Sequence, residues 1–169
     1  MNVFVVDENP VKAAMDQCDK HVVKMTLESA QMLSTAHRLL DGDDCIAPDV
    51  LYKVAHAKHP CTLWTMESIA NYHWLYNHFV ALCDEYTYRY GKKHLCDTKL
   101  RGILKHQPKN IPIGTLTPFR MAMGSNPECI FEGDPVKSYR AYYKTKQERF
   151  EMKWTKREIP NWFLPNEAA

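Results

Sequence analysis

The chain has 169 residues, of which 45% are hydrophobic and 11% aromatic, so it can bury the core of one ordinary domain and is not a disordered tail. Its formal net charge of +2 indicates no particular partner. The six cysteines lack C-x-x-C spacing, which argues against a zinc ribbon and fits a reducing compartment. Without a signal-peptide pattern or a run of ~18 apolar residues, we expect a soluble cytoplasmic protein that uses neither a membrane nor an obligate protein partner.

The first quarter of the chain predicts an N-terminal segment followed by helices. Residues 1–8 contain an apolar run that fits either a strand or an extended arm in the core. Asn9 is a good N-cap and Pro10 suits the first helical position, so a helix is predicted to begin there. We assign residues 9–40 to the first helices, the second of which ends at Asp41-Gly42-Asp43-Asp44.

The second of these helices carries a polar stripe. His21, Lys24, Glu28 and Gln31 recur at steps of three, four and three, which places them on one side of a helix. An imidazole, an ammonium, a carboxylate and an amide within about three turns suit acid–base chemistry or the binding of a polar ligand. The alternative is an ordinary solvated face with an i,i+4 ion pair.

The remaining elements predict a mostly helical chain. Residues 60–90 are apolar on nearly all sides of a helical wheel, which is typical of a central helix. Residues 107–135, rich in proline and glycine, predict a long irregular loop, and residues 136–152 predict a last helix. We therefore expect one all-α domain, 1–169, of three main helices with an extended N-terminal segment.

The last helix and its exit are basic and aromatic. Cations neutralise phosphates and aromatic faces stack on unpaired bases, so this combination suits nucleic acid. The alternative is a solvated basic helix whose aromatic side chains face the core. The residues concerned are Lys137, Arg140, Lys144, Lys146 and Arg149 with Tyr139, Tyr142, Tyr143, Phe150 and Trp154.

Motifs for a metal or a nucleotide cofactor are weak or missing in the sequence. Cys18-x-x-His21 and His56-x-x-His59 each offer only two ligands, whereas zinc takes three or four from protein. A nucleophilic pair of Cys18 and His21 is equally unsupported. Neither G-x-G-x-x-G nor the P-loop pattern occurs. We expect no metal and no cofactor.

Taken in order, several motifs resemble the pyrimidine-dimer DNA glycosylase/lyase family, of the phage endonuclease V type, and its small bacterial relatives. The first is Asp19-x-His21 with Glu28 seven residues after the histidine. The second is His59-Pro60-x-x-x-Trp64, which leads into the long central helix with Asn71 and Leu75. The third is Tyr139-Arg140-Ala141-Tyr142-Tyr143-Lys144, similar to an aromatic and basic C-terminal segment of that family.

The resemblance implies a compact all-α enzyme that kinks damaged duplex DNA. In that family the N-terminal segment passes between the helices and brings the α-amino group to the active site. The amine attacks the sugar C1′, displaces the base and forms an imine, and a glutamate then assists β-elimination of the 3′ phosphate. By position, Glu28 matches the glutamate and His21 the nearby histidine. The implied DNA contacts are Lys20, Gln31, His59, Arg140, Tyr142, Tyr143 and Lys144.

Two positions depart from the family pattern. Gln31 stands where the family has a basic residue, and Asn2 stands where its phage enzyme exposes a small residue after the initiator Met is removed. The amine is therefore that of Met1, that of Asn2 or the side chain of Lys24, since a lysine can also form a Schiff base. Two other hypotheses stay open: an enzyme on the same scaffold that processes a nucleotide or modified base, and a non-catalytic nucleic-acid-binding or protein-binding module.

Overall fold

The computed structural model describes residues 1–165, and over this range it contains six α-helices and no β-strand. The all-α prediction is confirmed. Within the same range no helix combines the length and the apolarity needed to cross a membrane. The helices are α1 (Pro10–Met15), α2 (Asp19–Asp41), α3 (Pro60–Glu67), α4 (Ile69–Tyr90), α5 (Leu95–Leu104) and α6 (Pro135–Lys144).

The two longest helices, α2 and α4, pack against each other and form the centre of the core. Leu33 of α2 and Leu75 and Leu82 of α4 are completely buried. At its C-terminus α4 is closed by Gly91, whose φ of 72° lies in the left-handed region that glycine adopts without strain. Helices α1, α3 and α5 pack around this pair, so most of α2 is enclosed. Side chains of α2 that face inward therefore sit in a water-poor environment.

The predicted central helix over residues 60–90 is two helices, and the prediction of one continuous helix was wrong. Ser68 interrupts it with extended backbone angles, φ −158° and ψ 159°. Its hydroxyl accepts the Asn71 amide at 3.1 Å, which caps α4, and donates to the Thr115 carbonyl at 2.9 Å. The Ile69 amide donates to the Pro112 carbonyl of the long loop. Long-range bonds to this loop thus stabilise a break that the apolar pattern conceals.

The last helix is shorter than predicted. Residues 136–152 are not all helical, because α6 ends at Lys144 and only a 3-10 turn, Thr145–Glu148, continues it. The chain then returns across the body. The indole N–H groups of Trp154 and Trp162 donate to the carbonyl and the carboxylate of Asp16 at 2.8 Å and 3.0 Å. These bonds fasten the C-terminal segment over the α1–α2 junction.

A buried arginine joins α4 to the same junction. The Arg89 side chain is 0% exposed and donates to the Glu85 and Asp19 carboxylates at 2.8 Å and 3.1 Å. It also donates to the backbone carbonyls of Met15 and Gln17. Four of the five N–H groups of the guanidinium thereby have an acceptor, which offsets much of the cost of burying the cation. This network fixes where α2 begins relative to α4.

The N-terminal segment is an extended arm rather than a strand. Residues 2–6 are all buried, at 0–7% exposure. The Phe4 ring lies 4.9 Å from the His21 ring and 5.1 Å from the Tyr143 ring, between α2 and α6. The Val6 carbonyl accepts from Arg140 Nε at 2.8 Å. The arm therefore runs through the interior and delivers the chain's first residue to the side of α2.

Candidate active site

The first residue of the chain meets the carboxylate of the polar stripe. The Met1 α-amino nitrogen lies 3.2 Å from Glu28 Oε1, and the two side chains are only 2% and 9% exposed. Glu28 Oε2 is buried and has no hydrogen-bond partner among residues 1–165. The Met1 sulfur lies 3.9 Å from the Thr62 hydroxyl of α3. An amine and a carboxylate therefore face each other in a site from which most water is excluded.

A histidine at the start of α3 lies close to this pair. The His59 imidazole caps the helix, since its Nδ1 accepts from the Cys61 amide at 3.1 Å. Burial lowers the pKa of His59, and the positive Met1 amino group lowers it further. The His59-Pro60 dipeptide places the ring there, because proline begins the helix and the preceding residue takes the extended N-cap conformation, φ −63° and ψ 138°.

His21, two turns before Glu28, is buried and held by a tyrosine. The Cys18 amide donates to the Tyr143 hydroxyl at 2.8 Å, and that hydroxyl lies 2.8 Å from His21 Nδ1. The hydroxyl oxygen has two acceptor sites and one proton, so it accepts from the Cys18 amide and forms a hydrogen bond with Nδ1 in either tautomer of the ring. Burial lowers the pKa of His21 to about 4, with further lowering by Lys146, Lys24 and Lys20. His21 is therefore a neutral imidazole at neutral pH.

Three lysines surround this histidine. Lys20 Nζ lies 4.4 Å from the centre of the Phe150 ring. Lys146 Nζ donates to the Tyr142 hydroxyl at 3.1 Å. Lys24 is exposed one turn before Glu28. The sequence places Lys146 only in the basic segment, and its i,i+4 spacing from Tyr142 is the signal that pairs the two side chains. The three ammonium groups form a cationic rim around His21.

The predicted stripe is only partly brought into the site. His21 and Glu28 are buried, whereas Lys24 is exposed and forms no ion pair with Glu28 within residues 1–165. Gln31 is half-buried one turn beyond Glu28. The expected i,i+4 pair of Lys24 with Glu28 is replaced by the longer-range pair of Met1 with Glu28.

The predicted DNA contacts on α6 divide into two groups. Tyr143 is 0% exposed, so its side chain belongs to the interior and positions His21 rather than meeting a ligand at the surface. Arg140 donates to the Val6 carbonyl and stacks 5.5 Å from the centre of the Trp162 ring. Together with Lys137 and Lys144, Arg140 and Trp162 line a groove of about 600 Å³ on the outer side of α6. That groove is basic and aromatic.

The surroundings of the Cys18 thiol do not activate it as an alternative nucleophile. Cys18 Sγ lies 3.5 Å from His21 Nδ1, but the residue is completely buried. Burial raises the pKa of the Cys18 thiol, which works against formation of a thiolate. In residues 1–165 no cluster of three or more His, Cys, Asp or Glu side chains is arranged to hold a metal ion.

Residues 1–98 match a family model described as pyrimidine dimer DNA glycosylase. The match covers more than half of the 169 residues. It includes the Met1–Glu28 pair, His21 and His59 and ends before α6 begins. Searches of curated proteins and of solved structures found no match.

Proposed function

Since the chain belongs to the pyrimidine dimer DNA glycosylase family, we propose that it excises a damaged pyrimidine from duplex DNA through an imine on the Met1 α-amino group. Membership makes the chain an enzyme of the DNA-glycosylase type. The observation that carries the mechanistic proposal is the buried contact of 3.2 Å between that amine and Glu28. Of the three candidate amines, on Met1, Asn2 and Lys24, only that of Met1 lies within hydrogen-bond reach of the Glu28 carboxylate.

The proposed reaction begins at the amine. A protonated amine has no lone pair, so a proton first passes from Met1 to Glu28, 3.2 Å away. The nitrogen then bonds to the sugar C1′ while the C1′–N bond to the pyrimidine breaks, and the base leaves with that electron pair and takes up a proton. The attached nitrogen gives up one proton and forms the C=N bond while the C1′–O4′ bond of the sugar ring breaks. The electron pair of that bond goes to O4′, which takes up a proton, and a protonated imine between Met1 and C1′ results. This covalent step divides one difficult displacement into two easier steps.

Strand cleavage follows from the imine. Removal of a proton from C2′ drives β-elimination, in which the C3′–O bond breaks and its electron pair leaves with the 3′ phosphate. We assign the proton transfer to Glu28, whose Oε2 is buried and makes no hydrogen bond within residues 1–165. Water then hydrolyses the imine and frees the amine. Glu28 thus acts twice: it accepts the Met1 proton and passes it to the departing base, and as a carboxylate again it takes the C2′ proton.

The cationic rim, defined as Lys20, Lys24 and Lys146, supplies the proposed contact with the DNA backbone. Ammonium groups neutralise phosphates and release counterions. The neutral His21 adds a polar ring nitrogen, Nε2, beside them, while its Nδ1 is occupied by Tyr143. The groove on α6 with Arg140 and Lys144 offers further backbone contacts. Binding energy at these surfaces helps offset the few kcal/mol needed to unstack or flip a nucleotide.

Borohydride trapping tests the function directly. The purified protein is mixed with a duplex carrying one cyclobutane thymine dimer, then reduced, and the covalent adduct is measured on a gel. We expect an adduct that requires the lesion and is lost in Glu28→Gln. Glu148→Gln, an exposed change on the turn after α6, is the matched control and should trap like the unchanged protein.

Two results would count against the proposal. If an undamaged duplex gave as much covalent adduct as the dimer duplex, the protein would not recognise the lesion. If Glu28→Gln gave as much adduct as the unchanged protein, Glu28 would have no acid–base role. This conclusion requires that the circular dichroism spectrum of the variant match that of the control. An abasic duplex, tested in parallel, separates the lyase step from base removal.

A further inference from the structure

The second residue of the chain is anchored far more firmly than a terminal residue needs to be. Asn2 is 7% exposed, and its Nδ2 donates to the Ala122 carbonyl at 2.9 Å. Its Oδ1 accepts the Val3 amide at 2.8 Å and lies 3.6 Å from Cys61 Sγ. Tyr139, 0% exposed, places its hydroxyl 3.0 Å from the same Oδ1. Terminal residues are commonly poorly ordered unless such contacts hold them.

The partners of Asn2 come from three separate parts of the chain. The Tyr139 hydroxyl on α6 accepts the Ala122 amide at 3.1 Å and lies 2.7 Å from the Arg120 carbonyl of the long loop. Cys61 belongs to α3. The anchor therefore connects the N-terminal arm, the long loop, α3 and α6 at one buried point, which we call the Asn2 anchor (Asn2, Cys61, Ala122, Tyr139).

We propose that Asn2 is a positioning residue that selects the amine of residue 1 as the nucleophile; this rests on the function proposed above. Successive Cα atoms are about 3.8 Å apart, so fixing residue 2 fixes the amine of residue 1 one peptide further on, where Glu28 receives it. An amine on Asn2 itself would lie inside the anchor, one peptide short of Glu28. A chain extended by one residue would carry its amine past the carboxylate.

The anchor also accounts for the departure of position 2 from a small residue. A small side chain there could not reach the Ala122 carbonyl and the Tyr139 hydroxyl together. The amide of Asn2 supplies a donor and an acceptor at once, which a hydroxyl or an aliphatic side chain cannot do with the same reach. The identity of residue 2 is thus linked to which residue carries the reacting nitrogen.

A set of defined N-termini tests this inference. The full chain is produced as a fusion that a site-specific protease cleaves to leave Met1, Asn2 or an added glycine before Met1 as the first residue, and intact mass verifies each product. We expect the single-turnover trapping rate of the Met1 form to exceed that of both others at least 100-fold, because a displacement of about 1 Å already costs about that much. Affinity for the dimer duplex should stay within about threefold.

Side-chain variants test the anchor without moving the terminus. Asn2→Leu and Tyr139→Phe should slow trapping at least 10-fold at unchanged DNA affinity, and melting temperatures identify any unfolded variant. Tyr76→Phe is the matched control, since the Tyr76 hydroxyl makes a comparable 2.7 Å bond to the Arg101 carbonyl outside the site. Equal trapping by all three N-termini would overturn the inference and leave the proposed function intact. Absence of trapping from the Met1 form would overturn both.

Discussion

Two buried histidines predict a specific loss of stability in mild acid. Burial lowers the pKa of His21 and of His78 from 6.5 to about 4. Both residues are nearly inaccessible, at 5% and 1% exposure. His78 Nδ1 donates to the Pro10 carbonyl at 2.9 Å, and its Nε2 accepts from Gln17 Nε2 at 3.2 Å. Both rings are therefore held as neutral imidazoles in the folded protein.

The difference in proton binding between the folded and unfolded states decides how stability changes with pH. Below pH 6.5 the unfolded chain protonates these histidines and the folded chain does not, so the unfolded state binds more protons and stability falls as pH falls. The loss begins near pH 6.5 and ends near pH 4, where the folded rings protonate as well. Each pKa unit corresponds to 1.36 kcal/mol, so each histidine costs about 2 kcal/mol between pH 6.5 and pH 5.

Urea unfolding at pH 7.0 and pH 5.0 measures this loss. His78→Gln should lose about 2 kcal/mol less than the unchanged protein between the two pH values, because the contributions of the carboxylates cancel in the comparison. His106→Gln, at an exposed position after α5, is the control and should keep the full loss. A pH dependence of His78→Gln that equals that of the control would refute the reasoning. His21→Gln, measured in the same way, tests the prediction independently at the other histidine.

Three further predictions concern single side chains. Glu28→Gln should lower the free energy of unfolding by about 1.5–3 kcal/mol, since a hydrogen bond between charged groups becomes one to a neutral amide; a change below 0.5 kcal/mol in urea unfolding would contradict the buried pair. Arg89→Met should cost about 3–5 kcal/mol, because it removes the cation from Asp19, leaves Glu85 with Arg157 alone and takes the donor from two buried backbone carbonyls. An unchanged melting temperature would contradict this. Lys146→Gln should reduce the slope of log K against log salt for DNA binding by about 1, and an unchanged slope would place Lys146 outside the interface.

Much of the helical architecture is readable from local signals. Asn9 and Pro10 mark the start of α1, and Gly91 marks the end of α4, because capping chemistry is decided by neighbouring residues. The break at Ser68 is not readable in this way. It depends on bonds to Pro112 and Thr115, more than 40 residues along the chain, and the apolar pattern runs through it without interruption.

The candidate site, too, is predicted by local signals only in part. The periodicity of His21 and Glu28 identifies one side of α2, but it predicts a partner for Glu28 one turn away, at Lys24. The partner in the structure is Met1, which only the path of the buried arm brings to α2. Tyr143 appears in the sequence as one more aromatic residue of a basic segment. Its role as the hydrogen-bond partner of His21 depends on how α6 packs, a tertiary property that periodicity does not encode.

The identity of the trapped amine tests the central claim most directly. After borohydride reduction on the dimer duplex, nuclease and protease digestion followed by mass spectrometry locates the sugar remnant on the chain. The proposed mechanism predicts the remnant on the α-nitrogen of the peptide that begins with Met1, and its loss when that nitrogen is acetylated beforehand. A remnant on the Lys24 side chain, or trapping that survives acetylation of the terminus, would contradict it.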